Sequence, residues 1–129
     1  LKFNLMIVVI IIFDIFSFVI GTTYGKKKIL PYISPKKTLE GVLGGIFFSL
    51  IFSLFFSYLF EINFNLYLFL FILLVIIASF LGDIIESTFK RINNLKNSSE
   101  FLSGHGGFFD RFDSYILSLV IFSISYQLI

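Results

Sequence analysis

The sequence has no cysteine, which excludes a disulfide framework, a thiolate metal site and catalysis through a cysteine nucleophile. Charge is also scarce. Only 14% of the 129 residues are Asp, Glu, Lys or Arg, against 57% apolar, too greasy a balance for an ordinary soluble domain. A secretory signal is not apparent, because no small-residue cleavage site precedes Gly21. Residue 1 is Leu rather than Met, and the chain enters an apolar run almost at once. The expectation is a membrane protein from which an N-terminal part is missing.

Apolar residues fill four segments, about Phe3 to Ile20, Val42 to Phe60, Leu66 to Leu81 and Tyr115 to Ile129. At a rise of about 1.5 Å per residue each approaches the span of a hydrocarbon core roughly 30 Å thick, the last two marginally. Backbone polar groups in lipid must be satisfied within the segment, and runs such as Leu66 to Ile77 lack the alternation of a barrel strand. The expected fold class is therefore an all-α polytopic membrane protein with about four transmembrane helices and a polar site on its cytoplasmic face. The 21–41 loop carries Lys26, Lys27, Lys28, Lys36 and Lys37 against Glu40, which places it in the cytoplasm. Two further crossings return the 82–114 segment to the same side.

Several polar residues need a chemical account. Asp14 sits inside the first apolar run, where an ionised carboxylate near the bilayer centre costs about 2.5 to 3.5 kcal/mol. It reads as an intramembrane ligand or orienting group, with an acid reaching interfacial water as the alternative. The third helix is expected to continue past the membrane to Arg91, with Asp83, Glu86, Ser87 and Lys90 on one flank. Taken alone, that flank fits a salt-bridged helix end. Further on, glycines surround His105 in Gly104-His105-Gly106-Gly107, where free amides can meet phosphate oxygens, and Asp110 and Arg111 follow. The oxygen ligands Asp83 and Asp110 suit Mg2+, and the bases can neutralise a polyphosphate. Lys26 to Lys28 are adequately explained as topogenic charge. Ser34-Pro35-Lys36-Lys37-Thr38-Leu39-Glu40-Gly41 is not, because it joins a Pro-fixed turn, paired bases and a helix-start pattern.

Together these residues resemble the phosphatidate cytidylyltransferases, or CDP-diglyceride synthases, over nearly the whole chain, which matches that family's C-terminal half. The central match is Ser87-Thr88-Phe89-Lys90-Arg91, Lys96-Asn97, then His105-Gly106-Gly107-Phe108-Phe109-Asp110-Arg111-Phe112-Asp113. Gly25-Lys26 through Leu30-Pro31 to the Ser34 to Gly41 stretch is a second match, and Gly82-Asp83 with Glu86-Ser87 a third. Three positions depart from the pattern: Asn97 stands where Asp is usual, Ser103 for Pro or Gly, and Thr22 for Arg.

The resemblance implies an enzyme that transfers a cytidylyl group from CTP to phosphatidic acid, giving CDP-diacylglycerol and pyrophosphate in phospholipid synthesis, with Mg2+ as cofactor. It implies a multi-pass protein of the inner membrane and a homodimer, with no nucleic acid as partner. The expected catalytic residues are Asp83, Asp110, Lys90 and Arg91, the two aspartates as metal ligands. Lys36, Lys37, Lys96, His105, Gly106, Gly107 and Arg111 are expected to hold the nucleotide or pyrophosphate. A catalytically impaired nucleotide- or lipid-binding protein is the alternative, followed by a small transporter component suggested by Asp14.

Overall fold

The structure is a computed structural model that describes residues 2–92 and 109–128, with side chains over 2–92 and 115–124. Helix α1 runs from Lys2 to Tyr24, α2 from Leu39 to Leu59, α3 from Leu66 to Ile92 and α4 from Phe109 to Leu128. Between α1 and α2 lies an antiparallel hairpin of β1, Lys28–Leu30, and β2, Ser34–Thr38. The first three helices are long and apolar enough to cross a membrane, and α4 contains a shorter apolar stretch, Tyr115–Ile124. The chain is a multi-pass, helical membrane protein. The third apolar segment is no longer marginal, because α3 continues unbroken for 27 residues and carries Asp83 to Arg91 on its final turns.

Helix ends follow from local chemistry. At the close of α1 the hydroxyls of Thr22 and Thr23 donate back to the carbonyls of Phe18 and Val19, so polar residues extend the helix past Ile20. Thr38 caps α2, its Oγ1 accepting from the Gly41 amide at 3.2 Å. Asn65 does the same for α3, Oδ1 accepting from Leu68 N at 2.9 Å. Between them Glu61 takes a left-handed conformation, φ 51°, and Ile62 N donates to Ser57 O, which closes α2.

The hairpin is a departure from the expected loop. Its strands pair Lys28 with Thr38 and Leu30 with Ser34, with an irregularity between. Ser-Pro-Lys-Lys-Thr has neither alternation nor β-branched runs to announce a strand. Long-range anchors hold it instead. Leu39 N donates to Lys27 O, and the Glu40 carboxylate accepts from the amides of Lys26 and Lys27.

Helix α1 lies between α2 and α3, and α4 packs on α3. The core joins Leu5, Met6, Val9, Ile10 and Phe13 of α1 to Leu68, Phe71, Ile72, Val75 and Ile76 of α3. These positions recur at three and four residues, one stripe per helix. Phe122 of α4 reaches this core edge-on, 5.6 Å from Phe3 and 6.0 Å from Phe71 between ring centroids. The other face of α1 meets a different surface. On α2 the buried positions are Gly41, Gly45, Ser49, Ser53 and Ser57, one small residue per four. A Cβ on Gly41 would stand 2.6 Å from Ser17 O and 2.9 Å from Gly21 Cα, so the backbones touch at this seam. Large apolar side chains such as Phe47, Leu54, Phe55 and Ile77 point outward, as lipid-facing residues do.

Candidate active site

The hairpin and the last turns of α3 meet at one end of the helix bundle, through two contacts between segments distant in the chain. Lys37 Nζ lies 2.9 Å from Asp83 Oδ2 in a partly buried ion pair. Arg91 Nε donates to Ile33 O at 3.3 Å. Glycine permits the first approach, since a Cβ on Gly25 would stand 2.1 Å from Gly21 O and 2.6 Å from Thr38 Oγ1. The chain can therefore fold back over α1 and present β2 to α3.

Two adjoining cavities result. The inner one, about 210 Å³, has Asp14, Ser17 and Phe18 of α1 on one side, Ser34, Lys36 and Lys37 of β2 on another, and Asp83 of α3 closing it. The outer one, about 160 Å³, is lined by Ile33, Ser34, Pro35 and Lys36 of the hairpin and by Ser87, Lys90 and Arg91 of α3. Ser34 and Lys36 border both. Their charges differ. Among the described residues the inner cavity sets two carboxylates beside two ammonium groups, whereas the outer cavity has three bases, of which Lys90 pairs with Glu86 one turn back. A third cavity of about 400 Å³, mostly apolar, lies between α3 and α4 and is bordered by Gly82, Ile85, Glu86, Phe89, Ile116, Leu117 and Val120. The Glu86–Lys90 pair stands between this apolar groove and the basic cavity.

Of the residues singled out in the sequence, Lys36, Lys37, Asp83, Lys90 and Arg91 are brought together here. Asp110 and Arg111 fall in the first turn of α4, described at the level of the backbone. Lys96, Asn97, Ser103, His105, Gly106 and Gly107 lie outside the described residues. Asp14 was legible as an anomaly, and the structure gives it a place on the wall facing Asp83, where Ser79 Oγ donates to its Oδ1 at 3.5 Å. Sequence reasoning missed Ser17 as a cavity residue; it placed Ser34 and Glu40 at the site only within the Ser34 to Gly41 stretch, without the cavity-wall role of the one or the hairpin clamp of the other. Ser17 carried a signal, three residues after Asp14 and so on the same helix face.

Among the described residues no three His, Asp or Glu side chains converge as a ready metal site. The donors nevertheless fit a hard divalent cation. Asp83 and Asp14 share the inner cavity and offer carboxylate oxygens, the donor type such an ion takes, with the Lys37 ammonium paired to Asp83 in its place.

Comparison with known proteins adds an independent line. A model of the cytidylyltransferase family matches residues 1–129. A phosphatidate cytidylyltransferase of Pseudomonas aeruginosa is 47% identical over 112 residues, 85% of this chain and 41% of that protein. One from Staphylococcus haemolyticus is 42% identical over 112 residues, 86% of this chain and 43% of that protein. An Escherichia coli (strain K12) protein, named Uncharacterized protein YnbB, is 39% identical over 109 residues, 84% of this chain and 37% of its own length. The chain thus spans about two fifths of the length of the curated relatives it matches.

Proposed function

The chain belongs to the cytidylyltransferase family, and from that premise we propose that it carries the catalytic centre of a phosphatidate cytidylyltransferase. The reaction is transfer of the cytidylyl group of CTP to phosphatidic acid, giving CDP-diacylglycerol and pyrophosphate. The observation that carries this reading is the junction of β2 with the end of α3, which sets a basic cavity beside an acid-lined one at one end of the bundle.

The chemistry asks little of the protein beyond alignment and charge. A phosphate oxygen of the lipid attacks the α-phosphorus of CTP, a new P–O bond forms, and the bond to the bridging oxygen of the β-phosphate breaks. Pyrophosphate leaves with the electron pair. No protein nucleophile is needed. Lys36, Lys90 and Arg91 line the cavity that suits the triphosphate, where fixed positive charge offsets the charge gathering on the leaving group. Asp83 would hold Mg2+ together with Asp110, and the ion when bound would neutralise phosphate oxygens. Ser87, on the outer cavity wall, offers a hydroxyl donor to the same anions.

The lipid substrate is amphiphilic, and so is this end of the molecule. The apolar groove between α3 and α4 borders the Glu86–Lys90 pair, so hydrocarbon can lie against Ile85, Phe89 and Val120 while the phosphate turns toward Lys90. Lys26, Lys27 and Lys28, exposed beside the hairpin or forming its first strand, orient this end toward the cytoplasm, where CTP is made available. The bacterial inner membrane is the corresponding location.

The test is incorporation of labelled CTP into lipid by protein in nanodiscs containing phosphatidic acid. Asp83→Ala and Asp110→Ala should each lower turnover by about a hundredfold or more, the scale of losing a group that stabilises transition-state charge. Full activity in both variants would remove the metal site from this account. Saturable CTP binding without product in the unmodified protein would assign it to binding alone, a reading that Asn97 in place of the usual Asp favours.

A further inference from the structure

We propose that Lys37 is the resident counterion of Asp83 and competes with a divalent cation for that carboxylate, so that cation binding releases the Lys37 ammonium to the substrate phosphates. The proposal rests on the cytidylyltransferase reading of the site and assigns Lys37 a role in timing as well as in binding.

The geometry is specific. Lys37 Nζ stands 2.9 Å from Asp83 Oδ2, with side-chain exposures of 19% and 26%, so the pair is screened but not sealed. The same nitrogen lies 4.9 Å from the centroid of the Phe80 ring, one helical turn before Asp83, within range of a cation–π contact. Ring and carboxylate from α3 thus hold one ammonium where a cation would be expected to bind. A carboxylate so engaged is a poorer ligand for Mg2+, because the ammonium must move and the incoming dication meets its charge.

The adjoining cavity gives Lys37 somewhere to go. Its stem is four carbons long and flexible, and its neighbours Ser34 and Lys36 border both the inner cavity that Lys37 lines and the outer one that suits the triphosphate. Formal charge makes the direction clear. Among the described residues Asp14 and Asp83 stand against Lys36 and Lys37 at this cavity, and a dication adds two positive charges to that set. That is the state a polyphosphate favours. Linkage then works both ways: a nucleotide that draws Lys37 away must tighten the cation, and the cation must tighten the nucleotide by the same factor. The ion pair therefore guards against a bare cation at Asp83 and favours arrival of cation and nucleotide together.

Mn2+ is the probe, its free concentration followed by electron paramagnetic resonance, with the protein in phosphatidylcholine nanodiscs and no nucleotide. Lys37→Met should bind Mn2+ about fivefold more tightly than the unmodified protein, the factor set by 1 kcal/mol, the upper end for partly exposed ion pairs. Asp83→Asn should lose the site. Equal or weaker binding in Lys37→Met, with binding still lost in Asp83→Asn, would overturn the competition and leave the metal site standing. Unchanged Mn2+ binding in Asp83→Asn would overturn both the competition and Asp83 as a ligand, whereas the labelled-CTP assay judges the cytidylyltransferase reading separately. Lys37→Gln, which retains a neutral donor toward Asp83, takes the same titration if the methionine variant lacks the cooperative melt of the unmodified protein.

Discussion

Lys90 and Arg91 are adjacent in the chain yet serve different neighbours. Lys90 reaches back one turn to Glu86, a local pair that any helix can make, whereas Arg91 uses its Nε to hold Ile33 O, 58 residues earlier. The guanidinium keeps further N–H groups for the cavity, which an ammonium in its place would not supply in a fixed plane. Arg91→Ala should therefore raise the KM for CTP about tenfold, the effect of losing one charge-assisted hydrogen bond, with a smaller change in kcat. Steady-state kinetics at saturating lipid checks this, and an unchanged KM would reduce Arg91 to a strut for the hairpin. At this scale the sequence was informative wherever charge was out of place. Asp14 stood out against its apolar run, and Asp83 to Arg91 against theirs. Glu40 did not stand out, because a Glu after Thr38 reads as an ordinary helix start. Its bonds to the amides of Lys26 and Lys27 exist only once the hairpin has turned.

Among the elements, the α1–α2 seam is sensitive to added volume. Gly41 and Gly44 differ in what a side chain would strike. At Gly41 a Cβ meets backbone, Ser17 O and Gly21 Cα, whereas at Gly44 it meets the Ile20 side chain alone, the terminal Cδ1 at 2.3 Å, which can rotate away, and Cγ2 and Cβ at 3.0 and 3.2 Å, which need give by only a few tenths of an ångström. Gly41→Ala should thus destabilise the protein by about 1 to 3 kcal/mol, the usual cost of overpacking, and Gly44→Ala by clearly less. Thermal unfolding in one detergent orders the two, and equal melting temperatures would contradict the seam. The helices themselves were legible from apolar length, since lipid allows few other backbones. The recurrence of Gly41, Gly45, Ser49, Ser53 and Ser57 was also present in the sequence as a four-residue period of small side chains. The hairpin was not, because it is anchored by Leu39 and Glu40 beyond the strands rather than by a strand-like pattern of the residues within them.

For the whole molecule the question is orientation. The chain offers an unusually clean test, because it contains no cysteine that a probe would label in the background. Tyr32, 93% exposed at the tip of the hairpin, and Asn63, exposed in the turn between α2 and α3, lie at opposite ends of α2. In cells, Tyr32→Cys should resist a membrane-impermeant maleimide added outside and react once the membrane is opened. Asn63→Cys should react from outside. The reverse pattern would place the basic hairpin, and the site with it, away from the cytoplasm. Four apolar segments and one lysine-rich loop were enough to expect this arrangement. What they left open was how the polar segments meet, because Lys37 with Asp83 and Arg91 with Ile33 are tertiary contacts with no local signature.

Asp14 also carries a consequence for the order in which the protein is made. The Ser79 hydroxyl that it meets on α3 lies 65 residues downstream, so α1 and α2 are synthesised before that hydroxyl exists. In the folded protein the glycine seam sets Phe13 against Gly45 and Ser17 against Gly41, one residue before and three after the acid. The α1–α2 seam beside Asp14 is thus made wholly of residues synthesised before α3, the helix that adds Asp83 and Ser79 to the polar chamber.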